Sequence, residues 1–391
     1  MSAVEVADIF RDFGASWRRQ NAGHISLRQF KAMSAIERCR SAALGAHVLR
    51  CPSCEVTEIS YNSCRNRHCP KCQSAAANRW LEARQRELLP IEYSHIVFTV
   101  PSDIADIAFQ NPALVYNILF KAASETLLTI AADTKHLGVH AALTAVLHTW
   151  GSAMTHHPHL HCIVPGGGQA VDSNQWINCK KGFFLPVRVL SRLFRRLFIE
   201  QLQELHDQQL LQFHGSLSVL EDTSAFEHYL APARQCEWVV YAKRPFKGPE
   251  AVLRYLSLYT HRVAISNSRI ISANQQNVTF KWKDYRIKNQ SRHRKMTLRT
   301  DEFIRRFLLH ILPDKFHRIR HYGFLANAVR AKKLEQIREA LSVVVPEPDK
   351  EEKPEHSFIC RKCGNPLLIV EIIRNLVEQA RAPPTLLVFA A

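Results

Sequence analysis

The feature that most constrains this chain is a pair of Cys-x2-Cys motifs near its N-terminus, formed by Cys51 and Cys54 and by Cys69 and Cys72. A Cys-x2-Cys turn places two thiolates on one tight knuckle, and two knuckles can complete a tetrahedral Zn²⁺ site. Basic residues surround these cysteines, which argues against reduced cysteines in an apolar core. We therefore predict that these four cysteines hold one structural zinc ion.

Further potential zinc ligands lie near these motifs. They are Cys39, His47, Cys64 and His68. They could supply a second tetrahedral site, or they could shield the first. Far downstream, Cys360-x2-Cys363 has no second pair in its own tail, so we interpret that motif as a structural or vestigial turn.

Arginines accompany the cysteine motifs, including Arg65 and Arg67. Arginine pairs well with phosphate, which makes this segment a candidate DNA-contacting module. A solvated basic face is the alternative interpretation.

The overall charge favours the same class of partner. The 391 residues include 52 Lys and Arg against 35 Asp and Glu, a formal net charge of +17. Such an excess is typical of proteins that bind nucleic acid. A membrane is the competing partner, but we find no apolar run long enough to span one and no signal peptide. We therefore expect a cytoplasmic protein with reduced cysteines.

The sequence predicts a mixed architecture. Strand-like and helical segments alternate irregularly, with hairpin-like neighbours instead of regular βαβ units, which favours an α+β fold. We divide the chain into a helical and zinc-binding domain at residues 1–90, a core domain at 91–300, a helical basic extension at 301–344, and a linker and tail at 345–391.

The histidine-rich segment 156–161 is the sharpest chemical feature of the core. On an extended strand His159 and His161 point to one face, while Leu160 points to the other. A neighbouring strand could supply a third ligand, and His148 is well placed because a hairpin would fold residues 143–149 beside His159. We predict a metal site formed by these three histidines.

Two tyrosines, Tyr255 and Tyr259, share one face of a helix that is predicted to begin at Pro249. They could belong to a buried stripe, or they could be paired nucleophiles. Basic and aromatic residues are interleaved after them, a pattern suited to single-stranded DNA. The basic residues we select as DNA contacts in this region are Arg262, Lys281, Lys283, Arg286, Lys288 and Arg292. A metal held by the histidines could polarise a phosphate for attack by a tyrosine.

Five motifs together resemble the rolling-circle transposases of the two-tyrosine insertion-sequence family, which are HUH (His, hydrophobic, His) nucleases. The motifs are SCRNRHCPKCQ at 63–73, HTWG at 148–151, HPHLHCIVPGGG at 157–168, YLSLYTHRVAISNSRI at 255–270 and FLLHILPDKFHRIRHYGFLA at 307–326. The resemblance extends over nearly the whole chain.

This resemblance implies a nuclease core with a central antiparallel sheet and flanking helices, preceded by the zinc-binding domain. Tyr255 and Tyr259 would cleave single-stranded DNA to leave a 5′-phosphotyrosine and a 3′-hydroxyl. His159 and His161, with His148 by analogy, would hold Mg²⁺ or Mn²⁺. Because Mg²⁺ prefers oxygen ligands, the physiological metal stays open. The partners would be transposon ends and target DNA in a bacterial, nucleoid-associated protein.

Two alternatives remain at this point. A plasmid replication initiator or conjugative relaxase would use the same chemistry, whereas a non-catalytic zinc-dependent regulator would only bind DNA. The zinc motifs upstream of the histidine strand favour the transposase over the first alternative. Substitution of both tyrosines distinguishes the transposase from the second.

Overall fold

The structure is a computed structural model that describes residues 4–173, 175–182, 184–246, 264–284, 293–343 and 358–374. The helices in these ranges are α1 (Val6–Gln20), α2 (Leu27–Arg38), α3 (Pro70–Gln85), α4 (Ser102–Gln110), α5 (Pro112–Ala132), α6 (Val187–Asp207), α7 (Thr223–Gln235), α8 (Thr300–Leu308) and α9 (Arg330–Ala340). The strands are β1 (Ala46–Arg50), β2 (Thr57–Tyr61), β3 (Tyr93–Thr99), β4 (Val139–His140), β5 (Ala142–Trp150), β6 (His156–Pro165), β7 (Gly167–Ala170), β8 (Trp176–Asn178), β9 (Val240–Phe246), β10 (Ile270–Ala273), β11 (Asn277–Lys283), β12 (His293–Arg299), β13 (Ile319–Gly323) and β14 (Leu368–Ile373).

A five-stranded antiparallel sheet forms the centre of the fold, with the strand order β13-β5-β6-β3-β9. Side chains alternate between the two faces of a strand. On one face, apolar residues such as Leu147, Leu160 and Phe98 belong to the main hydrophobic core, which helices α4, α5 and α6 cover. The other face is polar and carries His157, His159 and His161 of β6. This arrangement confirms the predicted α+β fold with a central antiparallel sheet and flanking helices.

Local sequence explains where several helices begin. Ser26 caps α2, because its Oγ accepts the Gln29 backbone N–H while the Gln29 side chain accepts the Ser26 N–H. Proline occupies the first turn of both α3 and α5, where its fixed φ suits helix initiation. Helix α5 is long and apolar enough to span a bilayer by length and composition, which the sequence analysis did not anticipate. Most of it is buried against β4, β5, β6 and α6 as a core helix.

A second core joins segments from both halves of the chain. Helices α1 and α2 pack with α8 and with the three-stranded sheet β10-β11-β12. Met154, in the turn between β5 and β6, is fully buried in this second core. The polar face of the central sheet is therefore brought beside the β10-β11-β12 sheet. The predicted four-part division of the chain stays a prediction.

A third sheet, in the order β14-β1-β2, combines the N-terminal and C-terminal parts of the described chain. Strand β14 pairs antiparallel with β1 from Ala46–Ile373 to Arg50–Leu368. The last two glycines of the HPHLHCIVPGGG motif lie in β7 of a fourth sheet, β4-β7-β8. The neighbouring strands approach the backbone of β7 closely at these positions. A Cβ on Gly168 would lie 2.5 Å from the His140 carbonyl oxygen, so a larger residue cannot fit there.

Candidate metal centre and nucleic-acid interface

The β5–β6 hairpin brings the three predicted histidines together. His148 lies opposite His159 in the register, and His161 lies opposite Val146, so all three side chains project from the polar face. Their candidate ligand atoms lie within 4.8 Å of one another. The ring centroids of His148 and His161 are 4.3 Å apart, and those of His159 and His161 are 5.0 Å apart. The geometry suits a three-nitrogen metal site.

Hydrogen bonds orient two of these imidazoles. His159 Nδ1 lies 2.7 Å from the His157 carbonyl oxygen, so Nδ1–H donates and Nε2 is the atom suited to bind metal. His161 Nδ1 lies 2.8 Å from Nε2 of His95, a buried residue of β3 that the sequence analysis missed. The two-residue alternation of β3 places His95 and Val97 on the site face and could have identified it.

Both imidazoles are held in the neutral form that metal binding requires. Burial lowers the pKa of His159 to about 4. Burial also lowers the pKa of His161 well below its usual value, and the neighbouring His148, His159 and His95 lower it further. The cause is the cost of placing a charge in a poorly solvated site that already contains several imidazoles.

The histidines line an open cleft of about 830 Å³ between the central sheet and the β10-β11-β12 sheet. Trp150 stacks on His148 with ring centroids 4.5 Å apart, and Tyr241 of β9 lines the same cleft. Across the cleft lie Lys281, Trp282 and Lys283 of β11, together with Arg269 and His293. Aromatic rings and cations in one groove suit a nucleic-acid strand.

Backbone contacts fix the two sides of this cleft relative to each other. Ser152, in the β5–β6 turn, donates its hydroxyl to the Lys283 carbonyl and accepts the Lys283 N–H. The Arg269 guanidinium donates to the carbonyls of Ser152 and Lys281. These bonds hold β11, with its lysines, beside the histidine hairpin.

The predicted DNA contacts are distributed unevenly. Lys281 and Lys283 line the cleft, and Arg65 is exposed on the zinc-binding segment. The Arg67 guanidinium donates to the Phe316 carbonyl at 2.6 Å and to the Pro313 carbonyl at 2.7 Å, and its contact with DNA stays a prediction. These bonds give Arg67 a packing role. Outside the described residues lie Tyr255, Tyr259, Arg262, Arg286, Lys288 and Arg292.

The four cysteines that we predicted to form one zinc site belong to two separate clusters. Cys69 and Cys72 share a cluster with Cys39 and Cys64, and the four sulfur atoms lie within 4.8 Å of one another. The Sγ atoms of Cys39 and Cys72 are 3.5 Å apart. The reason is topological: Cys39 is the residue after α2 and Cys69 is the residue before α3, and both are buried in the second core.

The remaining predicted ligands also lie elsewhere. Cys51 and Cys54 form a separate cluster with Cys360 and Cys363, so the C-terminal motif is not an isolated turn as we had interpreted it. The two histidines belong to neither cluster. His68 Nε2 accepts the Leu312 backbone N–H at 3.1 Å, and His47 lies in β1 between β2 and β14.

Comparison with known families agrees with both parts of this architecture. Residues 142–333 match a family described as "Putative transposase". Residues 9–100 match a family described as "Transposase zinc-binding domain". The first match contains His148, His159 and His161, and the second contains all four cysteines of the cluster that includes Cys39.

Two similar proteins support this result. One, named "Putative transposase y4qJ", from Sinorhizobium fredii, is 57% identical over 353 residues, which cover 90% of this chain and 88% of the relative. The other, named "Transposase for insertion sequence element IS801", from Pseudomonas savastanoi pv. phaseolicola, is 27% identical over 313 residues, covering 79% and 73%. Among solved structures, the conjugative relaxase TrwC in complex with mutant OriT DNA aligns with 42% of this chain and 71% of its own, at 13% identity and a TM-score of 0.23. A TM-score of that size does not establish a shared fold.

Proposed function

This chain belongs to the IS91 family of transposases, and we propose that it nicks and rejoins single-stranded DNA in rolling-circle transposition of its insertion sequence. The observation that carries the proposal is the group of His148, His159 and His161, called the histidine triad below, in a cleft lined by basic and aromatic residues. The partners are the transposon ends and target DNA, and the protein acts in the cytoplasm on the bacterial nucleoid.

Tyr255 and Tyr259 are the proposed nucleophiles. A tyrosine oxygen attacks the scissile phosphorus, the bond from phosphorus to the 3′ oxygen breaks, and a 5′-phosphotyrosine forms. The tyrosine proton is lost and the departing 3′ oxygen gains one, so the products are a covalent adduct and a free 3′-hydroxyl. Attack by a 3′-hydroxyl on the adduct reverses the step and joins strands, and two tyrosines allow one end to be held while another is cut.

His148, His159 and His161 fit a divalent cation, because their ring nitrogens converge on an open cleft with space for a phosphate. A bound Mg²⁺ or Mn²⁺ would polarise the scissile phosphate and neutralise its developing charge. Because Mg²⁺ prefers oxygen ligands, the nitrogen donors favour Mn²⁺ of these two ions.

The cleft supplies the features that a single strand requires. Trp150 offers a flat face on which a base can stack, and Lys281 and Lys283 provide positive charge for the backbone. Arg262, Arg286, Lys288 and Arg292 are proposed as further DNA contacts, and Arg65 is proposed to contact DNA from the zinc-binding segment.

The test is formation of a covalent adduct. Purified protein is mixed with single-stranded DNA from the flanks of its own gene and Mn²⁺, and denaturant-resistant adducts are mapped by mass spectrometry. We expect the double variant Tyr255→Phe, Tyr259→Phe to lose adducts while still binding DNA. Tyr241→Phe is the matched control, because Tyr241 is a tyrosine that lines the cleft, and it should retain them.

Two results would contradict the proposal. Adducts that persist in the double variant but disappear in Tyr241→Phe would make Tyr241 the nucleophile. Transposition that proceeds normally in the double variant would favour the non-catalytic regulator. A wild-type adduct confined to Tyr255 or Tyr259 would support the proposal.

A further inference from the structure

We propose that Cys51, Cys54, Cys360 and Cys363 hold a second structural zinc ion, which fastens the C-terminal segment to the N-terminal zinc-binding domain. This site goes beyond the proposed DNA chemistry and does not depend on it. Both family matches end before Cys360, since they cover residues 9–100 and 142–333.

The number of cysteines in the N-terminal match indicates that Cys51 and Cys54 need two further ligands from outside it. Residues 9–100 contain the complete Cys39 cluster and only two further cysteines, Cys51 and Cys54. Two thiolates are half of a tetrahedral structural zinc site. The structure brings the other half from the opposite end of the chain, in Cys360 and Cys363.

The sulfur positions fit a metal and not disulfides. Cys51 Sγ lies 3.4 Å from Cys363 Sγ, and Cys54 Sγ lies 3.5 Å from Cys360 Sγ. Zinc–sulfur bonds of about 2.3 Å in tetrahedral geometry place sulfur atoms about 3.8 Å apart. A disulfide would require about 2.05 Å. The short contacts link the two motifs crosswise, as four ligands around one ion require.

The two motifs have the same backbone conformation. In the first, the Cys51 N–H donates to the Val56 carbonyl and the Cys51 carbonyl accepts the Glu55 N–H. In the second, the Cys360 N–H donates to the Asn365 carbonyl and the Cys360 carbonyl accepts the Gly364 N–H. The equivalent residues Glu55 and Gly364 both have positive φ, of 56° and 77°. Glu55 is not a glycine, so this left-handed turn is disfavoured and requires support from its surroundings.

Backbone N–H groups also approach the sulfurs in matching positions. Cys51 Sγ receives hydrogen bonds from the N–H groups two and three residues later, at Ser53 and Cys54. Cys360 Sγ receives them from Lys362 and Cys363. Donors aimed at sulfur stabilise the thiolate, which is the form that binds zinc. Two equivalent knuckles facing each other are therefore preorganised for one metal ion.

Other contacts show that the two ends are joined around the site. The Asn365 side chain donates to Ser53 Oγ at 2.7 Å, which connects one knuckle to the other. Leu49 and Leu367 are buried beside Cys51 and Cys360 in a small core. Strand β14, which follows the second knuckle, pairs along the whole of β1. The core is small, and a metal bound by both motifs would close the long loop between them and stabilise this strand pairing.

The first test is the zinc content of the full-length protein. Cys360→Ser with Cys363→Ser is expected to bind one zinc ion per chain fewer than the wild type by elemental analysis. Cys179→Ser with Cys236→Ser is the matched control, because neither cysteine belongs to a cluster among the residues that the structure describes, and it should keep the wild-type content. Any zinc at the histidine triad is common to all three proteins. Unchanged zinc content in the first variant would overturn the proposal.

Hydrogen exchange shows whether loss of zinc is local. In Cys360→Ser, Cys363→Ser we expect faster exchange at residues 368–373, while residues 144–148 of the central sheet stay protected. Exchange at 368–373 that matches the wild type would overturn the fastening role.

A conservative variant covers the case in which the double variant does not fold. Cys363 is exposed, so Cys363→His has space to supply nitrogen in place of sulfur, and a site of three cysteines and one histidine also binds zinc. We expect unchanged metal content, and in the Co²⁺-substituted protein a thiolate-to-cobalt charge-transfer band weaker by about one part in eight, since two four-cysteine sites contain eight thiolates. An unaltered cobalt spectrum would show that Cys363 is not a ligand.

Discussion

His95 lies next to the histidine triad, and one contact defines its role. Its Nε2 lies 2.8 Å from His161 Nδ1, and the two rings are stacked with centroids 5.1 Å apart. A hydrogen bond to the far nitrogen of a metal-binding imidazole fixes its tautomer and its orientation. His95 is therefore expected to be a positioning residue for His161.

Replacing His95 tests this role. His95→Phe keeps a stacked ring but removes the hydrogen bond, so Mn²⁺ affinity should fall by about 10- to 100-fold, measured by calorimetry. His95→Gln, which can restore a polar partner, should recover part of the affinity. His140→Phe, at an exposed position of β4, is the control and should leave affinity unchanged. Equal affinity in His95→Phe and wild type would show that the contact does not orient the ligand.

At the level of elements, β11 brings positive charge to the cleft. Lys281 and Lys283 lie two residues apart and share one face of the strand, and both line the cleft. Contacts between lysine and phosphate release counterions, so each contact adds about 0.7 to the salt slope for single strands.

The double variant Lys281→Gln, Lys283→Gln should lower the slope of log K against log salt by about 1.4, which corresponds to two phosphate contacts. The measurement is fluorescence anisotropy with labelled single-stranded DNA over a range of salt. Lys180→Gln with Lys181→Gln removes the same charge from exposed residues outside the cleft. An equal loss of slope in both variants would mean that net charge matters and the position on β11 does not.

Elements also show what the sequence could predict. The β5–β6 hairpin is local, so alternation along two neighbouring strands was enough to place His148 opposite His159. The cysteine grouping depends on distant partners. Every Cys-x2-Cys motif presents the same two thiolates, and only the pairing of β1 with β14 selects Cys360 and Cys363 as the partners of Cys51 and Cys54.

Arg67 illustrates a second limit of sequence reasoning. Its basic neighbours indicated a DNA contact, but its guanidinium is used by two carbonyls after α8. That distinction depends on which loop packs against the zinc-binding segment, and no local pattern encodes it. Charge composition predicted the class of partner without identifying which arginines are available to it.

On the scale of the whole molecule, buried histidines in their neutral form connect the two main cores. His310 follows α8 and bonds through Nδ1 to the Thr149 hydroxyl and through Nε2 to the Met154 carbonyl, each at 3.2 Å. Burial, with a smaller effect of nearby His156, lowers the pKa of His310 to about 3. Burial likewise lowers the pKa of His68 to about 3.

These shifts have a definite sign for stability. Between about pH 6.5 and pH 3 the unfolded chain binds protons at histidines that the folded chain keeps neutral. The free energy of unfolding must therefore decrease as pH falls below 6.5, by about 1.4 kcal/mol per pH unit for each such histidine. At low pH the zinc-binding thiolates become protonated and release zinc, which also lowers the free energy of unfolding. The contribution of one histidine therefore has to be measured by substituting that histidine alone.

His310→Gln isolates one of these histidines. The variant loses stability at every pH, but the informative quantity is how steeply its unfolding free energy changes with pH in urea titrations. Well below pH 6.5 and above pH 3, that slope should be smaller than the wild-type slope by about 1.4 kcal/mol per pH unit, because one proton fewer is taken up on unfolding. The same substitution at exposed His228 in α7 is the control, and its slope should match the wild type. Parallel curves of unfolding free energy against pH for His310→Gln and wild type would mean that His310 is protonated equally in the folded and unfolded states. That result would contradict a buried neutral His310 between the two cores.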